Sequence, residues 1–250
     1  MTAEQRAKIC KRMLWIIPGL ILAIIGDYCM GIEPKDSTSI SFMISSGWLT
    51  IADWRIALSN IGGLIGTVFY AIAALGFIEY LKYKLSHCSG KWGRRFLKLY
   101  IAGLIWGCMV FIYFHLACGT LIHNYNVIYE AAQGDTVRAV AAWNRSYAVQ
   151  AFPYWVSFVV LGIASTGGWI ALVLKGILPL KKIWVLAAPL LVAGIGFLLE
   201  MILPLPFNGF ASGFESFGWI VMFLGGIRAI KNDERETGRM DPRSERRPMR

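Results

Sequence analysis

The sequence predicts an all-α integral membrane protein of the cell membrane, a bundle of six transmembrane helices with both termini cytoplasmic. Three observations predict it. Of the 250 residues, 56% are hydrophobic, and the mean hydropathy is +0.55. Apolar runs near the length that crosses a bilayer, about 20 residues, recur at 13–32, 57–81, 96–122, 152–174, 183–203 and 207–230. The basic residues also gather in alternate connections between these runs. One six-helix domain over 1–230 follows, with a polar basic tail over 231–250.

The first run follows a basic stretch, as in a signal peptide. No small-residue cleavage site comes after it, and the run continues through Gly26 and Asp27, so it reads as a retained helix. The 33–55 stretch is too short and too polar to span, and Trp48 and Trp54 suit the headgroup level. The second run pairs Ser59 with Gly63 and Gly62 with Gly66, small residues at the four-residue spacing that lets membrane helices approach closely. The third carries His115 and Cys118 near its end.

An outer amphipathic segment follows at about 123–150, with Val137, Val140, Ala141 and Tyr147 among polar residues. At least one amphipathic helix is expected there, lying over the outer mouth of the bundle. Asn144-Arg145-Ser146 within it matches the short glycosylation acceptor pattern. Between the fifth and sixth runs, Pro204 and Pro206 break the helix into a tight outer hairpin. The tail carries Pro242 and Pro248 and almost no apolar residue, a composition that predicts disorder.

The formal charge of +10 follows the spans. Arg6, Lys8, Lys11 and Arg12 precede the first run. Lys82, Lys84, Lys91, Arg94, Arg95 and Lys98 fill the second connection without an acid, and Lys175, Lys181 and Lys182 fill the fourth. The tail is also net basic, while the 33–55 and 123–150 stretches are nearly neutral. Basic residues beside span ends mark the cytoplasmic side. Topology therefore accounts for the basicity, and no nucleic-acid partner is required. The five cysteines show no metal-type spacing, and Cys29 and Cys118 read as small buried hydrophobes.

The functional signal is polar groups inside the apolar runs. Burying an ionised carboxylate in hydrocarbon costs at least a few kcal/mol, so such residues face an interior or a watery cavity. Asp27, Glu200, Glu215 and His115 are the acid–base candidates. Asn60, Asn208, Ser212 and Trp219 are the ligand-binding candidates; the last three share a stripe with Glu215 at i, i+4, i+7 and i+11. With the termini inside, Asp27, Asn60, His115, Glu200 and Glu215 all fall in the outer half of the membrane. They define an outward-facing pocket for a small amphipathic or lipid-like molecule entering from the outer leaflet. Glu79 lies toward the other end, beside Lys82 at i+3.

Three readings stay open: acid–base chemistry on or binding of that molecule, coupling to a cation or proton, and a structural role. One histidine well inside a span is too few for a zinc set, and the sequence names no cofactor. It has no H-E-x-x-H, G-x-S-x-G or phosphate-loop pattern.

Overall fold

The fold is known from a computed structural model that describes residues 1–41 and 43–239. Helix α1 (Ala3–Met13) opens on a capping box, in which Thr2 and Gln5 exchange side-chain and backbone hydrogen bonds. It runs through a short break at Leu14 and Trp15 into α2 (Ile16–Gly31). The long helices α3 (Asp53–His87) and α4 (Lys91–Ala131) follow. Helix α5 (Thr136–Leu161) is capped by Asp135, passes through a π-helical turn at Gly162–Gly167, and continues as α6 (Gly168–Leu174). A 3-10 turn at Lys182–Ala187 precedes α7 (Pro189–Ile202), and α8 (Phe214–Arg239) ends the described chain.

Among the described residues, five helical stretches are long and apolar enough to cross a membrane: Ala3–Gly31, Asp53–His87, Lys91–Ala131, Thr136–Leu174 and Phe210–Arg235. The fifth apolar run is shorter than expected. Helix α7 has 14 residues, about 21 Å of rise against a hydrocarbon core of about 30 Å. The cause is Pro189, which lacks a backbone donor and so sits at the first position of the helix. The preceding 3-10 turn makes up length along α8. Trp184 stands beside Gly225 and Pro189 beside Gly218, while Glu200 reaches Gly209 and Ala211.

The two ends of the bundle differ. At one end Arg12 pairs with Glu79, Lys84 with Asp233 at 3.0 Å, and the Asn232 amide donates to the Pro179 carbonyl at 2.7 Å. Glu79 thus finds its cation on α1 instead of at Lys82. The N-terminal helix, the 82–98 and 175–182 connections and the far end of α8 gather here. At the other end β1 (Glu33–Pro34) pairs antiparallel with β2 (Phe207–Asn208), Glu33 facing Asn208. Arg55 donates to the Ile32 carbonyl at 2.7 Å, and Asn126 to that of Trp48 at 3.0 Å.

The 123–150 segment is not a separate helix over the mouth. Residues 123–131 extend α4 and 136–150 open α5, joined by a turn with positive φ at Gln133 (55°) and Gly134 (79°). This extension buries its own small core of Ile44, Leu121, Tyr125, Ala139 and Trp143, and the Trp143 indole donates to the Leu121 carbonyl at 2.9 Å. The main core is aromatic. Tyr70, Phe77, Tyr100, Trp169, Trp219 and Phe223 are fully buried, with Tyr70 edge-on to Trp219 at 5.5 Å.

The outer surface is the reverse of a soluble protein's. Leu64, Leu75, Ile105, Met109, Ile163 and Phe197 are 50–66% exposed, a covering that needs an apolar surrounding. Residues 231–239, expected to be disordered, continue α8. The rest of the expected tail, 240–250, lies outside the described residues.

Candidate functional site

Four helices meet where α2 carries Asp27, α3 Ser59, α4 His115 and α8 Glu215 and Ser216. The Ser216 hydroxyl donates to Asp27 Oδ2 at 2.7 Å. The other oxygen, Oδ1, stands 3.8 Å from His115 Nε2, which is ion-pair range without being a hydrogen bond. On the far side of the ring, Nδ1 lies 3.2 Å from Ser59 Oγ. A polar chain Ser59–His115–Asp27–Ser216 therefore crosses the bundle, with the His115 and Asp27 side chains 3% and 10% exposed.

Two glycines make this seat. A Cβ on Gly63 would run into the His115 ring, and one on Gly26 would stand 3.1 Å from Ser59 Oγ. The Ser59–Gly63 spacing that reads as helix packing does bring α3 close to its neighbours. It does so to admit an imidazole on one side and the α2 backbone on the other.

A cavity of about 430 Å³ opens on this chain, lined by Asp27, His115, Ser212, Glu215 and Ser216. The rest of its described wall is apolar, including Phe111, Phe114, Phe158, Leu161, Leu190 and Phe197, and among the described residues no lysine or arginine lines it. A second cavity of about 270 Å³ adjoins it, sharing Asp27, Phe114 and Ser212 and adding Met30, Trp48, Cys118 and Tyr154. Cys118 Sγ lies 3.7 Å from the Tyr154 hydroxyl there. The paired cavities have the size and apolar wall of a small-molecule site.

Of the candidates read from the sequence, Asp27, His115, Glu215 and Ser212 come together on this wall. The other four are placed elsewhere. Glu200 turns to the backbone, accepting N–H bonds from Gly209 at 2.6 Å and Ala211 at 2.8 Å. Asn208 donates from Nδ2 to the Pro34 and Lys35 carbonyls, both at 3.3 Å. Asn60 packs on Gly119, with its buried Oδ1 unbonded among the described residues. Trp219 is the polar neighbour of Glu215 one turn along α8, buried against Tyr70 and Phe111.

The expected single stripe from Asn208 to Trp219 fails at its start. Asn208 lies in β2, Gly209 takes φ +88°, and α8 begins only at Phe214. Sequence reasoning missed Ser216, Phe114 and Tyr154, and read Ser59 as packing alone. A hydroxyl beside Glu215 was the one signal for Ser216.

The order Ser59–His115–Asp27 has the composition of a hydrolytic triad, but the position is wrong for one. Ser59 is fully buried against Gly26 and reaches neither cavity, so a substrate carbonyl has no approach to it. The groups that do reach the cavity can hold or pass a proton and can face a positive charge. Among the described residues no three His, Cys, Asp or Glu side chains are grouped to hold a metal ion.

Residues 1–233 match a family described as "Family of unknown function (DUF6796)", and the chain belongs to that family. No curated protein and no solved structure matches the chain.

Proposed function

We propose that this family member crosses the cell membrane six times, with α7 and its 3-10 turn as the short fifth crossing and both termini cytoplasmic. Its paired cavities bind a small amphipathic molecule from the outer leaflet, and Asp27, Glu215 and His115 take the molecule's polar head. One observation carries this reading: two carboxylates and an imidazole line an otherwise apolar cavity that has no cationic side chain. Carboxylates in such a place need a proton or a cation to offset the loss of water. The head that fits is therefore a hydrogen-bond donor or an amine, and the tail lies along Phe114, Phe158 and Phe197. Aromatic faces beside the acids favour an ammonium group further. Proton transfer between His115 and the bound head is the chemistry this geometry permits.

The orientation rests on the basic end. Arg12, Lys84, Lys91, Lys98 and Lys181 belong to the end that holds α1 and the last described turns of α8, and the β1–β2 end is nearly neutral, the distribution expected of a cytoplasmic and an outer face. Single-cysteine labelling at position 232 and within 130–145 should report opposite sides. Labelling of both from one side would overturn the crossings and the outward site together.

The site is tested by thermal unfolding of the purified protein with a long-chain alkylamine, its quaternary analogue and the matching alcohol. The wild type should be stabilised by at least one. Glu215→Gln and His115→Gln should fold and lose that stabilisation. A full response in both variants would leave the polar chain a structural device.

A further inference from the structure

We propose that the basic end of the bundle holds a site for a phosphate-bearing anionic headgroup, between α8 and the 3-10 turn that follows α6. A cavity of about 530 Å³ lies there, separate from the acid-lined pair, with Lys181, Arg228, Lys231, Asn232, Trp184 and Leu224 on its wall. Among the described residues no carboxylate lines it.

Basic residues at a cytoplasmic end normally stand apart as an orientation signal. These three are held together by the fold. The Asn232 amide donates to the Pro179 carbonyl at 2.7 Å, tying the 175–182 connection to α8 just before Lys181. The Trp169 indole donates to the Trp184 carbonyl at 2.7 Å, fixing the turn that follows. On α8, Arg228 and Lys231 lie three residues apart, on one helical face.

Neither of the described acids near this end of α8, Asp233 and Glu234, lines the hollow. Asp233 pairs with Lys84 on α3 at 3.0 Å. Among the described residues, none of Lys181, Arg228 and Lys231 is paired with a carboxylate. Three like charges around one hollow repel, and an anion relieves that repulsion. Arginine and lysine together offer the forked and point donors that phosphate oxygens accept. The half-buried Trp184 and exposed Leu224 give the hollow an apolar side. That side suits the glycerol and first methylenes of a lipid better than a free ion. Basic pockets between helices on the cytoplasmic side are known to hold such heads.

The test uses the full-length protein in mild detergent, with thermal stability followed against added phosphatidylglycerol, phosphatidylcholine and inorganic phosphate. Two triple variants lose the same charge: Lys181→Gln/Arg228→Gln/Lys231→Gln in the hollow, and Lys8→Gln/Lys91→Gln/Lys98→Gln on exposed positions outside it. Phosphatidylglycerol should stabilise the wild type and the outside variant, and its apparent affinity for the hollow variant should fall by about ten-fold or more. Protection by inorganic phosphate, lost in the hollow variant, would also support the site and identify the phosphate group alone as sufficient. Equal weakening in both triple variants, or protection by phosphatidylcholine as strong as by phosphatidylglycerol, would overturn it. So would no protection by either anion. If the hollow triple variant does not fold, Arg228→Gln and Lys231→Gln singly should each weaken binding about five-fold, and unchanged affinity in both would overturn the site.

Discussion

Glu200 separates a structural carboxylate from a functional one, and its replacement gives a measurable difference in sign. Its two oxygens accept the Gly209 and Ala211 N–H groups at 2.6 and 2.8 Å, holding the chain where it turns from α7 into α8. Gly209 sits there at φ +88°, pressed against the end of α2 at Gly31. Glutamine has one acceptor oxygen, so Glu200→Gln leaves one of these N–H groups facing an amide donor. A hydrogen bond to a charged group contributes about 1.5–3 kcal/mol, and the half-exposed site sets the lower end. Glu200→Gln should therefore cost about 1.5–2 kcal/mol and Glu200→Ala about 3 kcal/mol. At about 2–4 °C per kcal/mol for a chain of this size, the apparent Tm should drop by about 3–8 °C and 6–12 °C. Glu215→Gln should do the opposite, since it removes a charge from an apolar wall and keeps its volume, so stability should hold or rise. The assay is thermal unfolding of the three variants in one detergent, beside the alkylamine response. An unchanged Tm in Glu200→Gln together with a lost ligand response would refute the capping role and return Glu200 to the site.

Gly63→Ala should displace the His115 ring, because the added methyl group occupies its place. Overpacking of this kind costs about 1–3 kcal/mol, and the ligand response should weaken with it; wild-type behaviour in both readouts would mean that the ring is not seated on α3. Glu33, in β1 outside the long apolar helices, has its carboxyl raised above the ordinary 4.5 by burial, with the Ser45 hydroxyl and the Arg55 charge opposing. A raised folded value means that its stabilising contribution is present below the unfolded pKa and is lost as pH rises through the folded one. Thermal stability followed upward from about pH 4 should show that loss in the wild type, and less of it in Glu33→Gln. An identical pH profile in the two would show that the group does not titrate differently on folding.

How much of the fold was legible depended on whether its cause was local. Apolar runs and basic connections are local, and they gave the long helices and the two unlike ends. Helix length beyond the apolar part was not legible. Residues 123–131 and 136–150 are polar enough to read as a separate amphipathic segment, and they instead continue α4 and α5, with Tyr125 and Trp143 buried in one small core across the α4–α5 turn. The opposite error occurred at 183–203, where the run is apolar throughout. There Pro189 moves the helix start, and hydropathy takes no account of a missing backbone donor.

The site was legible in its acids and less so in their partners. Asp27, His115 and Glu215 stood out because the cost of burying them belongs to the residue and its run, whatever surrounds it. Ser59 and Ser216 did not stand out, since a serine in a membrane helix is inexpensive and its hydroxyl is as much packing as chemistry. Glu200 was misplaced for a related reason: its partners are backbone N–H groups, which every residue carries and no sequence pattern reveals. Yet the same physics distinguishes the acids once the structure is known. A carboxylate that has two backbone donors, as Glu200 has, is already satisfied and gains little from a ligand. Asp27 has one hydroxyl donor and an imidazole held too far away for a hydrogen bond, and it faces a cavity with no cation. The unmet part of that demand is what a ligand's head would meet, so Asp27 is the acid whose replacement by asparagine should weaken alkylamine binding most. A stronger loss in Glu200→Gln than in Asp27→Asn would reverse that order, and with it the reason for placing the site between α2 and α8.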